Sequence, residues 1–298
     1  MSTTLLPFPE SSFVSPAEEL RSFEILWSEK GQTVKNLSES FDKWNSLLPS
    51  ETLKQVEGFV PSAIDSDIDK YLAKQSGFSV SFKGCATYPV KMEDVKYPPR
   101  LFYYKGDVDL LTTPCISIVG ARECTPEGAL RAAKLAKGLV ERGYTIVSGL
   151  AKGIDTAAMK AAIESSGNVI GVIGTPIDSY YPPENKELQD LVAKKHLLIS
   201  HIPLYRYHLQ ESFLQKRNHF VERNAIMSAI SEATVIVEAS DTSGTLTQAR
   251  AAIQQGRKLF ILNSCFENPS ITYPKRFESQ GAIRVRDFDD IFRNLDNG

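Results

Sequence analysis

The chain has 298 residues and a mass of 33.1 kDa, room for one large α/β domain or two ordinary ones with a substantial core. A hydrophobic fraction of 42% beside 23% charged residues excludes a mostly disordered chain, and no apolar run reaches the ~18 residues of a membrane-spanning helix. Residues 1–75 hold 7 Lys+Arg against 12 Asp+Glu, a net of −5, while the remainder carries +3. This is no histone-like polycation, so phosphate binding has to come from a few placed side chains and backbone amides.

The first twelve residues, MSTTLLPFPESS, lack a basic segment followed by an apolar one, so no secretory signal is expected. Residues 16–75 read as short helices. SPAEELRSFEILWSEKG has a cap at Ser15, acids in its first turn, and Leu20, Phe23 and Trp27 on one helical stripe. TVKNLSESFDKWNSLL and SAIDSDIDKYLAKQSG repeat the pattern, the latter closing on Gly77. An acidic, all-helical unit is therefore expected over 1–77, and a second unit over 78–298. From Phe78, FSVSF and LFYYKG read as strands.

From Cys115 strands and helices alternate. The strands are CISIV, YTIVS, NVIGVI, LLIS, TVIVEA and KLFIL; the helices between them are ALRAAKLAKGLVERG, IDTAAMKAAIESSG, NKELQDLVAKK, RNAIMSAISE and GTLTQARAAIQQG. This predicts a parallel sheet with right-handed crossovers, its short apolar strands buried on both faces; the pattern does not give the order of strands.

In such a sheet, ligands bind beyond the carboxyl ends of the strands. Those ends carry Gly120, Ala121 and Arg122; Gly149, Lys152, Gly153 and Asp155; Gly174 and Thr175; and Ser243, Gly244 and Thr245. Glycines, two cations and nearby helix starts compose a candidate phosphate cradle, although each glycine could equally serve a tight turn. Asp155 reads either as a general base or as a helix cap. The segment KRNHFVERN sets Lys216, Arg217 and Arg223 around Phe220, with Asn224 beside them. It reads either as a backbone-and-base grip on an unstacked strand or as an amphipathic helix start with Phe220 in the core.

No cofactor or metal is expected. There is no G-x-x-x-x-G-K-[ST], no G-x-G-x-x-G after the first strand of the alternating region and no G-x-S-x-G. The histidines, His196, His201, His208 and His219, are scattered without an H-x-x-x-H pair, and the four cysteines lie far apart. A reducing cytoplasm is the simplest setting.

The runs S-I-V-G-A-R with T-P-E-G, I-V-S-G-L-A-K-G-I-D-T-A-A, V-I-G-V-I-G-T, Y-P-P-E-N, F-V-E-R-N-A-I-M-S-A-I-S, V-I-V-E-A, S-G-T-L-T-Q-A-R-A-A and Q-G-R-K-L-F-I occur in order between about Phe78 and Ile291. They closely resemble the DNA-processing protein A (DprA/Smf) family. The resemblance implies an extended Rossmann-like core of the superfamily that also holds the LOG phosphoribohydrolases, here behind a helical unit resembling a sterile-alpha-motif domain. It also implies sequence-tolerant binding and protection of single-stranded DNA, homodimerisation, and loading of a RecA-type recombinase in recombination and natural transformation. Carried over by motif, Arg122 sits where the family places a phosphate-contacting arginine, and Lys152 resembles a basic position of the same pocket. Arg217 takes the place of a lysine, Phe220 resembles a base-contacting aromatic, Arg223 and Asn224 match an R-N pair, and Ser243, Gly244 and Thr245 match an S-G-[ST] turn. In that reading Arg122, Lys152, Arg217 and Arg223 pair with successive phosphates, loop amides near Gly120 and Ser243–Thr245 take others, and Phe220 stacks a base.

The chain also departs from the family. HIPLYRYHLQES follows L-L-I-S in place of a proline-glycine segment, Asn263-Ser264-Cys265 replaces P-G-S, and TYPKRFES replaces G-x-N-x-L-I. No C-terminal winged-helix domain is expected before Gly298. These changes keep open an accessory or antitoxin-like role in an antiphage system with a toxin-like partner. An enzyme reading is disfavoured. The LOG relatives use a glutamate in their P-G-G-x-G-T-x-x-E loop, whereas Leu246, Thr247 and Gln248 follow Gly244-Thr245 here.

Overall fold

The computed structural model describes residues 14–56, 63–209 and 211–295; the secretory-signal reading of the first twelve residues lies outside them. Four helices come first. The helix α1 (Pro16–Ser28) is capped by the Ser15 hydroxyl, which accepts the Glu18 amide, and α2 (Val34–Lys43) by Thr33, which accepts that of Asn36. The helix expected over 33–48 stops at Lys43, Asn45 takes a left-handed φ of 47°, and Pro49 opens α3 (Pro49–Gln55). A proline has no N–H to continue the first helix but suits the first turn of the next. The fourth helix is α4 (Ala63–Leu72).

The strands β1 (Ser79–Phe82) and β2 (Leu101–Gly106) then lead into the alternating region: β3 (Cys115–Val119), α5 (Pro126–Glu141), β4 (Thr145–Ser148), α6 (Ile154–Glu164), β5 (Val169–Ile173), α7 (Lys186–Lys195) and β6 (Leu197–Ser200). After α8 (Leu204–Leu209) and α9 (Phe213–Ile230) come β7 (Ala233–Ile236), α10 (Thr245–Gln254), β8 (Lys258–Leu262), α11 (Asn263–Glu267), α12 (Tyr273–Glu278), β9 (Ile283–Val285) and α13 (Asp289–Leu295). The α/β reading and its strands hold. The main misplacement is α9, which begins ten residues before the expected Arg223: the Ser212 hydroxyl and Gln215 form a reciprocal capping box that starts the helix in a polar stretch.

The nine strands make one sheet in the order β1-β2-β6-β5-β4-β3-β7-β8-β9, parallel except where β2 runs antiparallel to β1 and β6. Alternate side chains along β3 enter different cores. Ile116 and Ile118 join α1, α5, α6 and α7, while Cys115 and Val119 join α9 and α10. From β3 the chain winds outward to β6, then returns to β7 on the other side of β3. The loops after β3 and β7 diverge there, which leaves a crevice at their carboxyl ends.

The N-terminal helices pack on the sheet through Phe23, whose ring centroid lies 6.2 Å from that of Tyr103. Beside it the Glu24 carboxylate is fully buried. It accepts from the Tyr103 hydroxyl at 2.5 Å and from the amides of Leu204 and Tyr205 at 2.8 and 3.1 Å, tying α1 to β2 and to the start of α8. Desolvation, opposed by these donors, pushes its pKa up from 4.5 to about 7. Folding therefore takes up a proton between those values. The resulting stability is complete below about pH 4.5 and is lost as pH rises through about 7. Glu24→Gln is expected to cost on the order of 1–3 kcal/mol by opposing its amide N–H groups to donors. Urea unfolding at pH 5 and pH 8 should show the gap to wild type narrowing at the higher pH; a gap that widens contradicts this assignment.

Candidate nucleic-acid interface

A cleft of about 940 Å³ opens at the crevice between β3 and β7, lined by Gly120, Arg122, Phe220, Arg223, Ser243 and Thr245 among others. Its floor is built on one arginine. Arg223 projects from α9 and is only 5% exposed. One guanidinium nitrogen, Nη1, donates to the Gly149 carbonyl at 2.6 Å and the Val172 carbonyl at 2.7 Å, so α9 is pinned to the ends of β4 and β5. Gly149 is required by this closeness, because a Cβ there would run into the guanidinium.

Asp155, in the first turn of α6, is the complementary charge. Its carboxylate accepts the amides of Gly149 at 3.1 Å and Ala151 at 3.4 Å. Burial raises its pKa and lowers that of Arg223 to about 10, and each is partly restored by attraction to the other. Asp155 does not cap α6, whose N-cap is Gly153 with no side-chain cap bond; its carboxylate instead closes the 149–155 turn.

Above the floor, Arg122 is exposed and makes no ion pair among the described residues. Its guanidinium carbon lies 5.8 Å from the ring centroid of Tyr181 and 5.7 Å from that of Phe220, within cation–π range, and the two rings are 5.3 Å apart. Phe220 is half-buried. It leans on Gly174, where an added Cβ would come within 2.8 Å of its ring, so it is neither a core residue nor a free one. Val221 beside it is 53% exposed. Arg217 stands one helical turn before Phe220 and Val221 on α9, exposed and outside the cleft lining.

The remaining expected residues fall into different places. Lys152 is exposed but paired with Glu184, with Nζ to Oε1 at 2.5 Å, and does not line the cleft. The Asn224 amide group donates to the Gly244 carbonyl and the Thr247 hydroxyl at 3.1 and 2.7 Å, binding α9 to the start of α10. Gly120 and Gly153 serve close packing: a Cβ on Gly120 would come within 2.7 Å of the Glu238 carbonyl, and Gly153 has φ 75° with Ala121 and Arg122 carbonyls against it. Ser243 holds the Thr245 amide, and Thr245 donates to the Gly120 carbonyl at 3.1 Å.

Two expectations are corrected by this geometry. Arg223 is a buried tie, not a fourth exposed cation for a phosphate, because its Nη1 is committed to two carbonyls. Three of the loop amides at the mouth are likewise engaged: Ala121 donates to the Glu238 carbonyl at 2.7 Å, Ile154 to the Ala121 carbonyl at 3.2 Å, and Thr245 to the Ser243 hydroxyl at 3.2 Å. The sequence reading missed Tyr181, Glu184 and Glu238. The first two lie in or beside Y-P-P-E-N, and the aromatic-proline run was the available signal. Both Glu238 carboxylate oxygens accept from Thr125, at 2.9 and 2.7 Å, locking the loop after β3 to the end of β7.

The fold and cleft define a doubly wound α/β protein with an aromatic-flanked arginine at the sheet's switch point. The family model for DNA recombination-mediator protein A matches residues 79–296, and the chain belongs to this family. It is 38% identical over 198 residues to the DNA processing protein DprA of Streptococcus pneumoniae, a match spanning 66% of this chain and 66% of that relative. The solved structure of S. pneumoniae DprA superposes with a TM-score of 0.69 at 28% identity, covering 93% of this chain and 92% of that one. A Helicobacter pylori DNA processing protein A structure, described for its single-stranded DNA binding mode, superposes with a TM-score of 0.62 at 27% identity over 74% of this chain and 96% of its own.

Replacing Arg223 by Met should strand the buried Asp155 carboxylate without its counter-charge and leave two carbonyls unpaired, a loss of about 3–5 kcal/mol. Calorimetric unfolding measures it; a Tm within a degree or two of wild type is incompatible with the tie.

Proposed function

We propose that the chain is a non-catalytic, sequence-tolerant single-stranded-DNA-binding protein of the DprA type, which protects the strand and delivers it to a RecA-type recombinase in the cytoplasm, acting as a homodimer. The observation that carries the binding reading is Arg122, an exposed cation with no counter-ion among the described residues, lying over the pair of rings Tyr181 and Phe220 at a deep cleft. Its guanidinium takes a phosphate while Phe220 and Tyr181 offer faces to an unstacked base, and Arg217 takes a phosphate one helical turn away. Lys152 joins them once it leaves Glu184. The family matches at residues 79–296 and the H. pylori structure's stated subject support this reading. The division near residue 77 belongs to it: the later segment carries the strand, and the helical segment braces α8.

No acid occupies the Leu246–Gln248 stretch where the LOG relatives have theirs, which supports a binder over a phosphoribohydrolase. A second reading, an accessory or antitoxin-like protein that senses DNA for a toxin-like partner, draws on one feature. The departing segment 201–212 contains α8, and Arg206 there donates to the carbonyls of Trp27, Glu29 and Gln32, docking the helical segment on it.

Arg122→Glu is expected to abolish oligonucleotide binding in a filter or gel assay with an unchanged Tm, and Phe220→Ala to cost about 1–3 kcal/mol of binding. With two or three phosphate contacts, log affinity should fall with log salt with a slope of about −1.4 to −2.1. A salt-insensitive affinity, or full binding by Arg122→Glu, removes the proposal. Glu184→Gln separates the role of Lys152: it should strengthen binding several-fold at low salt, and an unchanged affinity means that Lys152 takes no part.

A further inference from the structure

His201 and His219 are far apart in the sequence and meet in the fold. His201 follows the last residue of β6, and His219 and Glu222 stand three apart on one side of α9. The Oε2 atom of Glu222 lies 3.0 Å from His219 Nδ1 and 3.3 Å from His201 Nε2, and the three atoms are all within 4.8 Å of one another. Ligands on a tetrahedral ion at about 2.0–2.1 Å stand about 3.3–3.4 Å apart, so the two contacts that Glu222 makes to the histidines are already close to edges of a coordination shell. The other His219 nitrogen, Nε2, lies 2.7 Å from Glu211 Oε2, and Glu211 Oε1 accepts from Arg206 Nε at 3.1 Å. A carboxylate on the far nitrogen of a histidine is the arrangement that fixes the tautomer of metal-binding imidazoles.

We propose that His201, His219 and Glu222 hold one divalent transition-metal ion of the zinc class. Two imidazoles and a carboxylate suit zinc, cobalt or nickel; magnesium and calcium require oxygen ligands. Both histidines are buried, while the Glu222 side chain is 26% exposed, so entry and the fourth position lie on its side. None of the three lines the DNA cleft, which makes the ion structural: it joins the end of β6 to the half of α9 that carries Arg217 and Phe220. His201, Arg206 and Glu211 come from the 201–212 segment that departs from the family pattern, whereas Glu222 lies in the F-V-E-R-N run that resembles it.

The test needs no DNA, so its result is independent of the strand-binding reading. The full chain is stripped with a chelator, then titrated separately with Zn2+ and Co2+. One equivalent per chain should survive gel filtration by elemental analysis, Tm should rise with Zn2+, and Co2+ should give the intense absorption of a four- or five-coordinate site. Glu211→Gln should weaken Zn2+ binding about 10- to 100-fold. His201→Asn and Glu222→Gln should weaken it at least as much, with circular dichroism confirming the fold. His208→Asn, at an exposed Asp178 pair outside the cluster, should leave it unchanged. Substoichiometric metal, a weak octahedral Co2+ spectrum, or undiminished binding by both His201→Asn and Glu222→Gln overturns the proposal.

Discussion

The geometry of the cleft depends on the burial of one guanidinium. Arg223 is drawn under the sheet's carboxyl edge, where its desolvation is offset by two carbonyls and by Asp155. Those carbonyls belong to different strand ends, and Asp155 holds the amides of the turn between β4 and α6. A single side chain on α9 therefore fixes three elements at once. With α9 set, Phe220 can only lie where Gly174 leaves room for it, and Arg122 lies over both Phe220 and Tyr181. The exposed groups of the mouth are placed by the buried ones below.

The same logic explains why so much of the mouth's polarity faces inward. At a topological switch point two loops part, and each would fray if left to solvent. Glu238 closes one side by taking the amide and hydroxyl of Thr125, and Asn224 closes the other by bridging to Gly244 and Thr247. Both are committed to shaping the cleft. A short outer row of side chains, with Arg122 in it, is left exposed to meet a ligand.

Much of this fold was legible in the sequence. Buried parallel strands leave short apolar runs, and amphipathic helices between them leave a 3.6-residue stripe, so β3 to β8 could be placed to within three residues. The first half of α9 could not, because its start rests on the Ser212–Gln215 capping box and its residues are mostly polar. Strand order was closed to local pattern, since it depends on which strands pair across long crossovers. The site was half legible. Arg122 announces itself by following a strand with a glycine. Arg223 looks identical in composition to a phosphate-gripping cation, and only its burial separates the roles. His201 and His219 were set aside because no local spacing joins them, yet β6 and α9 bring their rings to 6.3 Å.

The charges around the cleft bear on how a strand would lie. Glu123, Glu127, Asp155 and Glu238 line it against Arg122, Arg131 and Arg223, so the depth of the cleft is no basin of positive potential. Of these cations Arg223 is screened by its own partners. A polyanion entering the cleft fully would approach the Glu238 carboxylate and amides that already have acceptors, and would lose hydration without replacement. Along the rim it meets Arg122, the faces of Tyr181 and Phe220, the apolar Val221 and then Arg217. In the proposed mode the backbone therefore follows the rim along α9, and the cleft receives at most an uncharged base turned inward. Such a mode is sequence-tolerant for a physical reason: every base has a face to stack.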